Sequence, residues 1–337
     1  MSASMTGGAI EYVLGVDGGG TRTRVAALAL DGRLLGYGRS GPSNYDDVGV
    51  DQAQANIGAA VAQACAPGSL GAAARRAAFL GMAGVVAEAD HAAIHRIADR
   101  LHLAPPGRVG VDHDCRIALA GGLAGRPGIV QIVGTGTSCY GRNAAGEGWL
   151  TGGRGHLISD EGSGYWLGIG AMRAAVMAYD GRLAGTLLLP VVHEYLGISD
   201  MAEILHRLYV QGMSRAEIAG LAPLVIEAAR QGDGPARNLL AHGAEELADC
   251  VSAAARHLHL DGAPCEVCLV GGLIQAGPIV TDGLQAAIRQ RLPVALLREA
   301  ELPPVLGAGL LALEQAGCTI TPSVLENLQA AFRQIDM

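Results

Sequence analysis

A glycine-rich segment occurs twice in this chain, and the repeat constrains the fold more than any other feature. Residues 13–35 read VLGVDGGGTRTRVAALALDGRLL, and residues 129–151 read IVQIVGTGTSCYGRNAAGEGWLT. A shift of 116 residues without gaps superimposes the apolar strands before the two turns. It also places Gly18, Gly20, Thr21 and Gly32 on Gly134, Gly136, Thr137 and Gly148. The pattern predicts an internal duplication, with two similar domains that each present a glycine hairpin.

Each repeat has the pattern of a strand, a glycine turn and a second strand. In the first copy, apolar strands at 12–16 and 25–30 flank the glycines, and Asp31-Gly32 ends the second strand as a hairpin dipeptide. Glycine permits positive φ and lets successive amides approach an anion, while threonine adds a hydroxyl donor. The pattern therefore favours phosphate-binding turns over ordinary glycine-rich hairpins, which remain the alternative.

The two copies differ at one informative position, because Asp17 stands where the second copy has Val133. A carboxylate beside a phosphate site would repel the ligand unless a cation intervened. We therefore predict that Asp17 faces Mg²⁺, directly or through water. The alternative is that Asp17 only caps the turn.

The chain contains no lysine, so all 24 basic residues are arginines. This excludes a Walker A loop, a protein-kinase strand lysine and Schiff-base chemistry. Phosphate must instead be bound by backbone amides, hydroxyls, arginine and a metal ion. The net charge of -8 argues against a nucleic-acid partner, and no apolar run approaches the roughly 18 residues of a membrane span.

Length and cysteine usage complete the general expectations. The chain has 337 residues, of which 50% are hydrophobic, so we expect two domains in preference to one. The first residues, MSASMTGGAIEY, lack the pattern of a signal peptide, and seven scattered cysteines suit a reducing compartment. We therefore expect a cytoplasmic protein with no membrane partner.

Between the repeats, helical and strand patterns alternate. Helical spacing at 51–65 and 87–101 brackets an apolar strand at 77–82, and a further strand at 108–111 precedes Asp112-His113-Asp114. Asp114 thus lies where a strand ends and a helix begins. Acidic residues often cap helices at this position, but strand ends in α/β sheets are also where active sites form.

Eight motifs occur in order over residues 13 to about 313. They are DGGGT (17–21), GPSN (41–44), GMAG (81–84), HDCRIALAG (113–121), GTGTS (134–138), GGRGHLISDEGSGYW (152–166), LVGGL (269–273) and PPVLGAGLLAL (303–313). This set resembles the N-acetylglucosamine kinase family, which lies within the BadF/BadG-type ATPases of the actin, heat-shock chaperone and sugar-kinase superfamily.

The resemblance implies an α/β chain with two ribonuclease-H-like (actin-like ATPase) domains, a nucleotide and sugar cleft between them, and domain closure over the sugar. It implies domain bounds of 1–121 and 122–313, with a helix at about 314–337 that packs on the first domain. ATP and Mg²⁺ are the implied cofactors and a sugar is the implied substrate. We also expect a homodimer.

The resemblance also implies residue roles. Asp114 matches the general base that takes the proton from the sugar 6-hydroxyl as this oxygen attacks the γ-phosphate. The implied nucleotide contacts are Gly18, Gly19, Gly20, Thr21, Thr23, Gly134, Thr135, Gly136, Gly271 and Gly272. The implied sugar contacts are Asn44, Thr137, Ser138, Gly153, Arg154, Gly155, His156, Asp160 and Glu161.

Two departures weaken the prediction of the sugar, since the family usually has tryptophan in place of Arg154 and glycine in place of Ser159. Glucosamine or another hexose therefore remains an alternative substrate, although a cationic Arg154 disfavours a protonated amine. A second function, an ATPase activator of a radical dehydratase, lacks its cysteine in DEGSG. A third, a binding protein with a relic carboxylate, has no support because Asp17 and Asp114 are both present.

The remaining patterns favour structural roles. Cys265 and Cys268 open an apolar strand and are expected to be buried strand cysteines. His91 and His95 lack the glutamate of a zinc motif. His156 could orient Asp160, touch substrate or be purely structural. The amphipathic tail at 323–335 fits either a cover for one domain or a dimer face.

Overall fold

The computed structural model describes residues 10–67 and 70–335. The strands are β1 (Tyr12–Gly18), β2 (Thr23–Ala29), β3 (Leu34–Ser40), β4 (Arg75–Met82), β5 (Val109–His113), β6 (Gly128–Val133), β7 (Thr137–Arg142), β8 (Gly148–Thr151), β9 (Cys265–Val270) and β10 (Ala295–Arg298). The helices are α1 (Tyr45–Val48), α2 (Val50–Cys65), α3 (Glu88–Arg100), α4 (Asp114–Gly122), α5 (Gly164–Tyr179), α6 (Leu188–Leu196), α7 (Arg215–Ala219), α8 (Ala222–Arg230), α9 (Gly234–His257), α10 (Pro278–Arg291), α11 (Pro304–Gln315) and α12 (Pro322–Ile335). Short 3₁₀ turns lie at Ala72–Ala74, Met201–Glu203 and Ile274–Ala276, and a π-helical turn at His206–Val210.

The chain divides into two compact units. The first runs to Arg126 and resumes at Glu299, and the second is Pro127–Arg298. The expected boundaries at 121/122 and 313/314 differ from this division because α11 belongs with the first unit. Every residue from Val305 to Leu313 is buried, and α11 packs on α4, β1 and β4. A helix that is apolar on all sides needs such a covered position.

The first unit is built on a five-stranded mixed sheet in the order β3-β2-β1-β4-β5. The pairs β1–β2 and β2–β3 are antiparallel, whereas β1–β4 and β4–β5 are parallel. The expected helices at 51–65 and 87–101 are confirmed as α2 and α3, and the strand at 77–82 lies within β4. Apolar side chains of α2 and α3 pack on one face of the sheet, and those of α11 and α12 pack on the other.

The second unit contains a five-stranded mixed sheet in the order β10-β9-β6-β7-β8. Here β6–β7 and β7–β8 are antiparallel, while β6–β9 and β9–β10 are parallel. Apolar residues of α9 and α10 cover this sheet, and α5, α6 and α8 form a second apolar cluster. Cys265 and Cys268 are buried on β9, as expected for strand cysteines.

The two sheets share one topology, because an antiparallel hairpin and third strand continue into two parallel strands in each. This supports the predicted duplication, but the gapless alignment is wrong beyond the turn. Tyr12 pairs with Ala29, and Gly128, 116 residues later, pairs with Arg142, which is only 113 residues after Ala29. The second hairpin is therefore three residues shorter, and Thr137 begins β7 instead of occupying the turn as Thr21 does.

The amphipathic tail covers the first unit. Val324, Leu328, Ala331 and Ile335 on α12 are buried against the cluster that contains Val13 and Leu28. The stripe is thus occupied within its own unit and gives no support to a dimer face. Residues 1–9 and 336–337, which belong to the signal-peptide and tail predictions, lie outside the described residues. In the described ranges, no helix has the length and apolar character that crossing a membrane would require.

Candidate active site

In the first unit, three predicted site segments meet at one edge of the sheet. The parallel register sets Gly18 beside Met82 and Met82 beside His113. The glycine turn, Ala83-Gly84 and Asp114 directly follow these residues in the chain. The carboxyl ends of β1, β4 and β5 therefore place the turn and Asp114 at the edge where α/β sheets build their sites.

The first turn directs its carbonyl groups into the protein. Gly18 O accepts from the Ala83 amide at 2.8 Å, and Gly19 O accepts from the amides of Ser43 and Asn44 at 3.0 and 3.3 Å. The amides of Gly20 and Thr21 donate to no acceptor within the described ranges, and both residues are exposed. A turn held by its carbonyls with its amides outward can bind an anion.

Two predicted ligand contacts have structural bonds. Thr23 is fully buried, and its hydroxyl pairs with Ser43 Oγ at 2.7 Å and Gly41 O at 2.8 Å, so it does not face a nucleotide. Asn44 is 9% exposed and caps α1 by accepting from the Asp46 amide, while its Nδ2 donates to Asp47. These bonds use one donor and one acceptor site of the Asn44 amide, so its contact with a sugar stays a prediction.

Asp17 is a largely buried carboxylate with one paired oxygen. Its Oδ2 accepts from Arg24 Nη1 at 3.0 Å, and its side chain is 13% exposed. Burial raises the pKa of Asp17, Arg24 opposes this, and the nearby charge of Asp114 raises it further. Oδ1 accepts no hydrogen bond from the described part of the chain. Two neighbouring carboxylates with a free oxygen fit the hard oxygen ligands that Mg²⁺ prefers.

Asp114 is the first residue of α4, and its carboxylate does not cap the helix. His113 is the N-cap, and its Nδ1 accepts from the Arg116 amide at 3.2 Å. Asp114 is half-buried, and its Oδ1 accepts a weak bond from Cys115 Sγ at 3.4 Å. Because His113 satisfies the helix start, the Asp114 carboxylate is available for chemistry at the sheet edge.

Among the described residues, a single group of three potential metal-ligating side chains occurs, formed by His113, Asp114 and Cys115. Its ligand atoms lie within 4.8 Å of one another. However, His113 Nδ1 is used in capping and Cys115 is fully buried, so the group does not form a soft-metal site. His91 Nδ1 lies 3.2 Å from Val111 O, which agrees with a structural role.

The second turn is held in the same way as the first. Gly134 O and Thr135 O accept from the amides of Gly164 and Tyr165, at 2.8 and 3.1 Å, at the start of α5. The amides of Thr135 and Gly136 donate to no acceptor in the part of the chain that the structure describes, and Thr135 is exposed. Both predicted phosphate turns therefore present outward amides and an exposed threonine.

Gly271 and Gly272 lie beside this second turn, since β9 ends next to β6. Gly271 has φ +112 and packs directly on the Val133 carbonyl, a position and conformation that exclude a side chain. The following Leu273 amide donates to Val133 O at 3.1 Å. Gly272 is exposed, with open space around its Cα. The nucleotide contacts predicted at Gly271 and Gly272 thus lie at the same sheet edge as the second glycine turn.

The predicted sugar contacts of the second unit fall into buried and exposed groups. Asp160 is 6% exposed, and its Oδ1 accepts from the Thr137 amide at 3.2 Å. Burial raises the pKa of Asp160, and the Thr137 amide and Arg215 oppose this. The Thr137 hydroxyl donates to Glu161 O at 3.3 Å, which makes its role structural. Asp160 Oδ2 has no hydrogen-bond partner within the described residues, which marks a ligand-binding oxygen.

The loop after β8 is the remaining sugar-side segment. Gly153 (φ +63) packs on Ser138, and Gly155 (φ +95) bridges to Ser159. His156 packs edge-on against Tyr165, with ring centroids 4.8 Å apart. Arg154 is exposed, and no hydrogen bond or ion pair joins it to another described residue.

Sequence reasoning missed Arg215. Its Nη2 lies 3.6 Å from Asp160 Oδ2 although the two residues are far apart in the chain. The absence of lysine could have directed attention to arginines in general, but no motif marks this one.

Together, the two sheets of common topology and their glycine turns define a two-domain α/β protein of the ribonuclease-H-like, actin-like fold. The model of the BadF/BadG/BcrA/BcrD ATPase family matches residues 14–312, so the chain belongs to this family. Both the expected fold and the expected family are confirmed.

Named relatives are similar over nearly the whole chain. An N-acetylmuramic acid/N-acetylglucosamine kinase of Clostridium acetobutylicum is 30% identical over 305 residues, covering 90% of this chain and 98% of the relative. An N-acetyl-D-glucosamine kinase of Dictyostelium discoideum is 31% identical over 321 residues, with the same coverage. A crystal structure from Chromobacterium violaceum, provisionally assigned as an N-acetylglucosamine kinase, has a TM-score of 0.72 and 32% identity, and the match covers 91% of this chain and all of that one.

Proposed function

We propose that this protein is an ATP-dependent sugar kinase that transfers the γ-phosphate of ATP to the 6-hydroxyl of N-acetyl-D-glucosamine. One observation carries the proposal. The Asp114 carboxylate does not cap its helix and lies at the sheet edge where the first glycine turn also lies. The naming of both relatives for N-acetylglucosamine phosphorylation supports the choice of acceptor.

In this mechanism Asp114 is the general base. It accepts the proton of the 6-hydroxyl while the O–P bond to the γ-phosphorus forms and the bond to the β-phosphate oxygen breaks. ADP leaves with the released electron pair, and the proton then passes from Asp114 to solvent. Phosphoryl transfer depends mainly on positioning and charge stabilisation, so one carboxylate base, a metal ion and oriented amides can be sufficient.

The two glycine turns bind the phosphates in this proposal. The amides of Gly20 and Thr21 in one unit, and of Thr135 and Gly136 in the other, donate to no acceptor in the described ranges, and both threonines are exposed. We propose that Asp17 holds Mg²⁺, which would neutralise charge on the phosphates when bound.

The sugar-binding groups are Asp160 and the backbone of the glycine loop. Oδ2 of Asp160 forms a 3.6 Å ion pair with Arg215 but no hydrogen bond within the described residues, so it can accept a bond from a ring hydroxyl. Exposed Arg154 favours a second acceptor, N-acetylmuramic acid, whose 3-O-lactyl group carries a carboxylate that a guanidinium can bind. The same charge disfavours glucosamine as a protonated amine.

The test is ADP release with Mg·ATP in the presence of N-acetylglucosamine, N-acetylmuramic acid, glucosamine, N-acetylmannosamine, glucose or no sugar. N-acetylglucosamine should stimulate turnover strongly, and Asp114→Asn should lower kcat by about a hundredfold or more. Asp99→Asn, which changes an exposed carboxylate near the end of α3, is the control and should retain most activity. ATP consumption that no sugar stimulates would overturn the proposal and favour an ATPase activator.

Two further properties stay proposals. A cytoplasmic location rests on composition and cysteine usage. A homodimer is expected by resemblance alone, since the apolar stripe of α12 is used within its own unit. Light scattering of the purified protein measures the oligomeric state directly.

A further inference from the structure

The guanidinium of Arg215 lies directly beside the second glycine turn. A β-carbon at position 136 would lie 3.1 Å from Arg215 Nη2 and 3.0 Å from Asp160 Oδ2. Glycine at 136 therefore leaves the space that both charged groups occupy. Arg215 Nε is buried and has no hydrogen-bond partner among the described residues, so the guanidinium is only partly satisfied by the protein.

Arg215 is held in this position by well-defined packing. Ser214 and Glu217 form a reciprocal capping box at the start of α7, with bonds of 2.8 and 3.2 Å. Ile218 on the same helix belongs to the apolar cluster with Leu167 of α5. The start of α5 donates to the carbonyls of the glycine turn, so α7, α5 and the turn are one packed assembly. A cation fixed to such an assembly loses little conformational entropy when it binds an anion.

The ion pair with Asp160 does not satisfy Arg215. The 3.6 Å separation exceeds a hydrogen bond, and the arginine side chain remains 40% exposed. Asp160 Oδ2 likewise lacks a hydrogen-bond partner within the described residues. A contact of this length neutralises charge but leaves the planar guanidinium fork free for a bidentate partner.

The sequence around the second turn explains why a distant arginine is needed. The first hairpin carries Arg22 and Arg24 in its own turn and strand, whereas residues 134–141, GTGTSCYG, contain no charged residue. The chain has no lysine that could supply the charge instead. Arg215 is the guanidinium that the structure sets against Gly136.

We propose that Arg215 binds the β- and γ-phosphate groups of the nucleotide at the turn formed by Gly134, Thr135 and Gly136. The inference rests on the proposed function, because it takes the turn as a phosphate site. Arg215 is then the cation that replaces lysine chemistry in this unit. Asp160 holds the guanidinium in place before the nucleotide arrives.

The experiment measures the affinities of AMP, ADP and a non-hydrolysable ATP analogue by calorimetry for the wild type, Arg215→Gln and Arg215→Lys. Arg215→Gln should weaken binding of ADP and the analogue about 10- to 100-fold and leave AMP binding within about twofold, as expected for a lost charge-assisted bond. Arg215→Lys should fall between, because it keeps the charge but not the fork. Arg207→Gln, a nearby arginine paired with Glu217 at 3.8 Å, is the matched control.

Sugar binding by the same proteins, without nucleotide, separates this role from a structural one. If Arg215→Gln weakens sugar binding while ADP affinity is unchanged, Arg215 only supports Asp160 and the proposal is overturned. Loss of AMP binding to the same extent as ADP binding also overturns it. If the wild type binds nucleotide but phosphorylates no sugar, the kinase proposal fails, yet the ratio of ADP to AMP affinity still decides the role of Arg215.

Discussion

The two glycine turns share one arrangement of backbone hydrogen bonds but differ in the charged side chains around them. In each, carbonyl groups of the turn accept from amides of other segments, and amides of the turn that donate to no described acceptor are left for a ligand. The first turn has a buried carboxylate in its own strand, Asp17, paired with Arg24 at 3.0 Å. The second has Val133 at the corresponding position, and its carboxylate and arginine, Asp160 and Arg215, come from other segments.

This difference shows how two copies of one glycine turn can come to bind different ligands. The carboxylates of Asp17 and Asp114 are close enough to interact, and the ion pair with Arg24 leaves Asp17 Oδ1 without a hydrogen bond in the described ranges, which suits a metal ion. A looser ion pair gives the second turn an available guanidinium that suits an anion. The backbone thus provides the donors, and the side chains determine what each turn binds.

The largest expected effect comes from removing the first carboxylate. Asp17→Asn should lower kcat about a hundredfold and shift Mg²⁺ activation to higher concentrations, since metal assistance contributes several kcal/mol to phosphoryl transfer. Steady-state kinetics across a magnesium titration measures this. Asp31→Asn, an exposed hairpin carboxylate paired with Arg33, is the control and should change nothing. If Asp17→Asn kept the wild-type magnesium dependence, the assignment of a metal ion to the first turn would be wrong.

The carboxylate of the second turn should govern the pH dependence of sugar binding. Because burial raises the pKa of Asp160, this group takes up its proton at a higher pH than an exposed aspartate does. A protonated carboxyl is a poorer acceptor, so sugar affinity should fall about tenfold per pH unit below that pKa. Calorimetry at a series of pH values from neutral into the acid range measures this affinity. Asp160→Asn should bind weakly and without this acid limb, and a variant with the wild-type pH profile would contradict the assignment.

Much of the scaffold could be predicted from the sequence because it depends on local patterns. Alternating and helical apolar periodicities located β4, α2, α3 and β9, and the glycine repeat indicated two similar sheets. The hairpin register could not be obtained in this way, because matching Gly20-Thr21 to Gly136-Thr137 favours a gapless alignment. Backbone pairing decides the register, and it removes three residues from the second hairpin.

The site was less predictable than the scaffold. Thr23 has the right residue type in the right motif, yet its side chain is fully buried and hydrogen-bonded to Ser43, which only the folded backbone reveals. Arg215 reaches Gly136 through the packing of α7 on α5, a contact with no local signal. The position of α11 was also missed, since an apolar run does not specify which sheet will cover it.

A matched pair of glycine substitutions tests whether the second turn is the more crowded one. In Gly136→Ala the new methyl group would lie 3.0 Å from Asp160 Oδ2, whereas in Gly20→Ala it would meet Asp47 Oδ2 at an ordinary 3.4 Å. Gly136→Ala should therefore raise the KM for ATP about five- to tenfold by displacing the charged pair, and Gly20→Ala by at most about twofold. Equal effects in the two variants would mean that the charged pair does not set the geometry of the second turn.

The smallest expected effects separate ligand-facing from structural hydroxyls. Thr21→Val and Thr135→Val each remove an exposed hydroxyl at a turn, so each should weaken ADP binding about three- to tenfold, the value of one neutral hydrogen bond, without changing stability. Thr23→Val removes a buried hydroxyl bonded to Gly41 O and Ser43 Oγ. It should lower the free energy of unfolding by about 1–3 kcal/mol and leave ADP affinity nearly unchanged. Calorimetry and urea denaturation of the three variants test both statements. If Thr23→Val instead weakened ADP binding and kept wild-type stability, the buried hydroxyl would have to turn outward when nucleotide binds. The first turn would then be less rigid than the second.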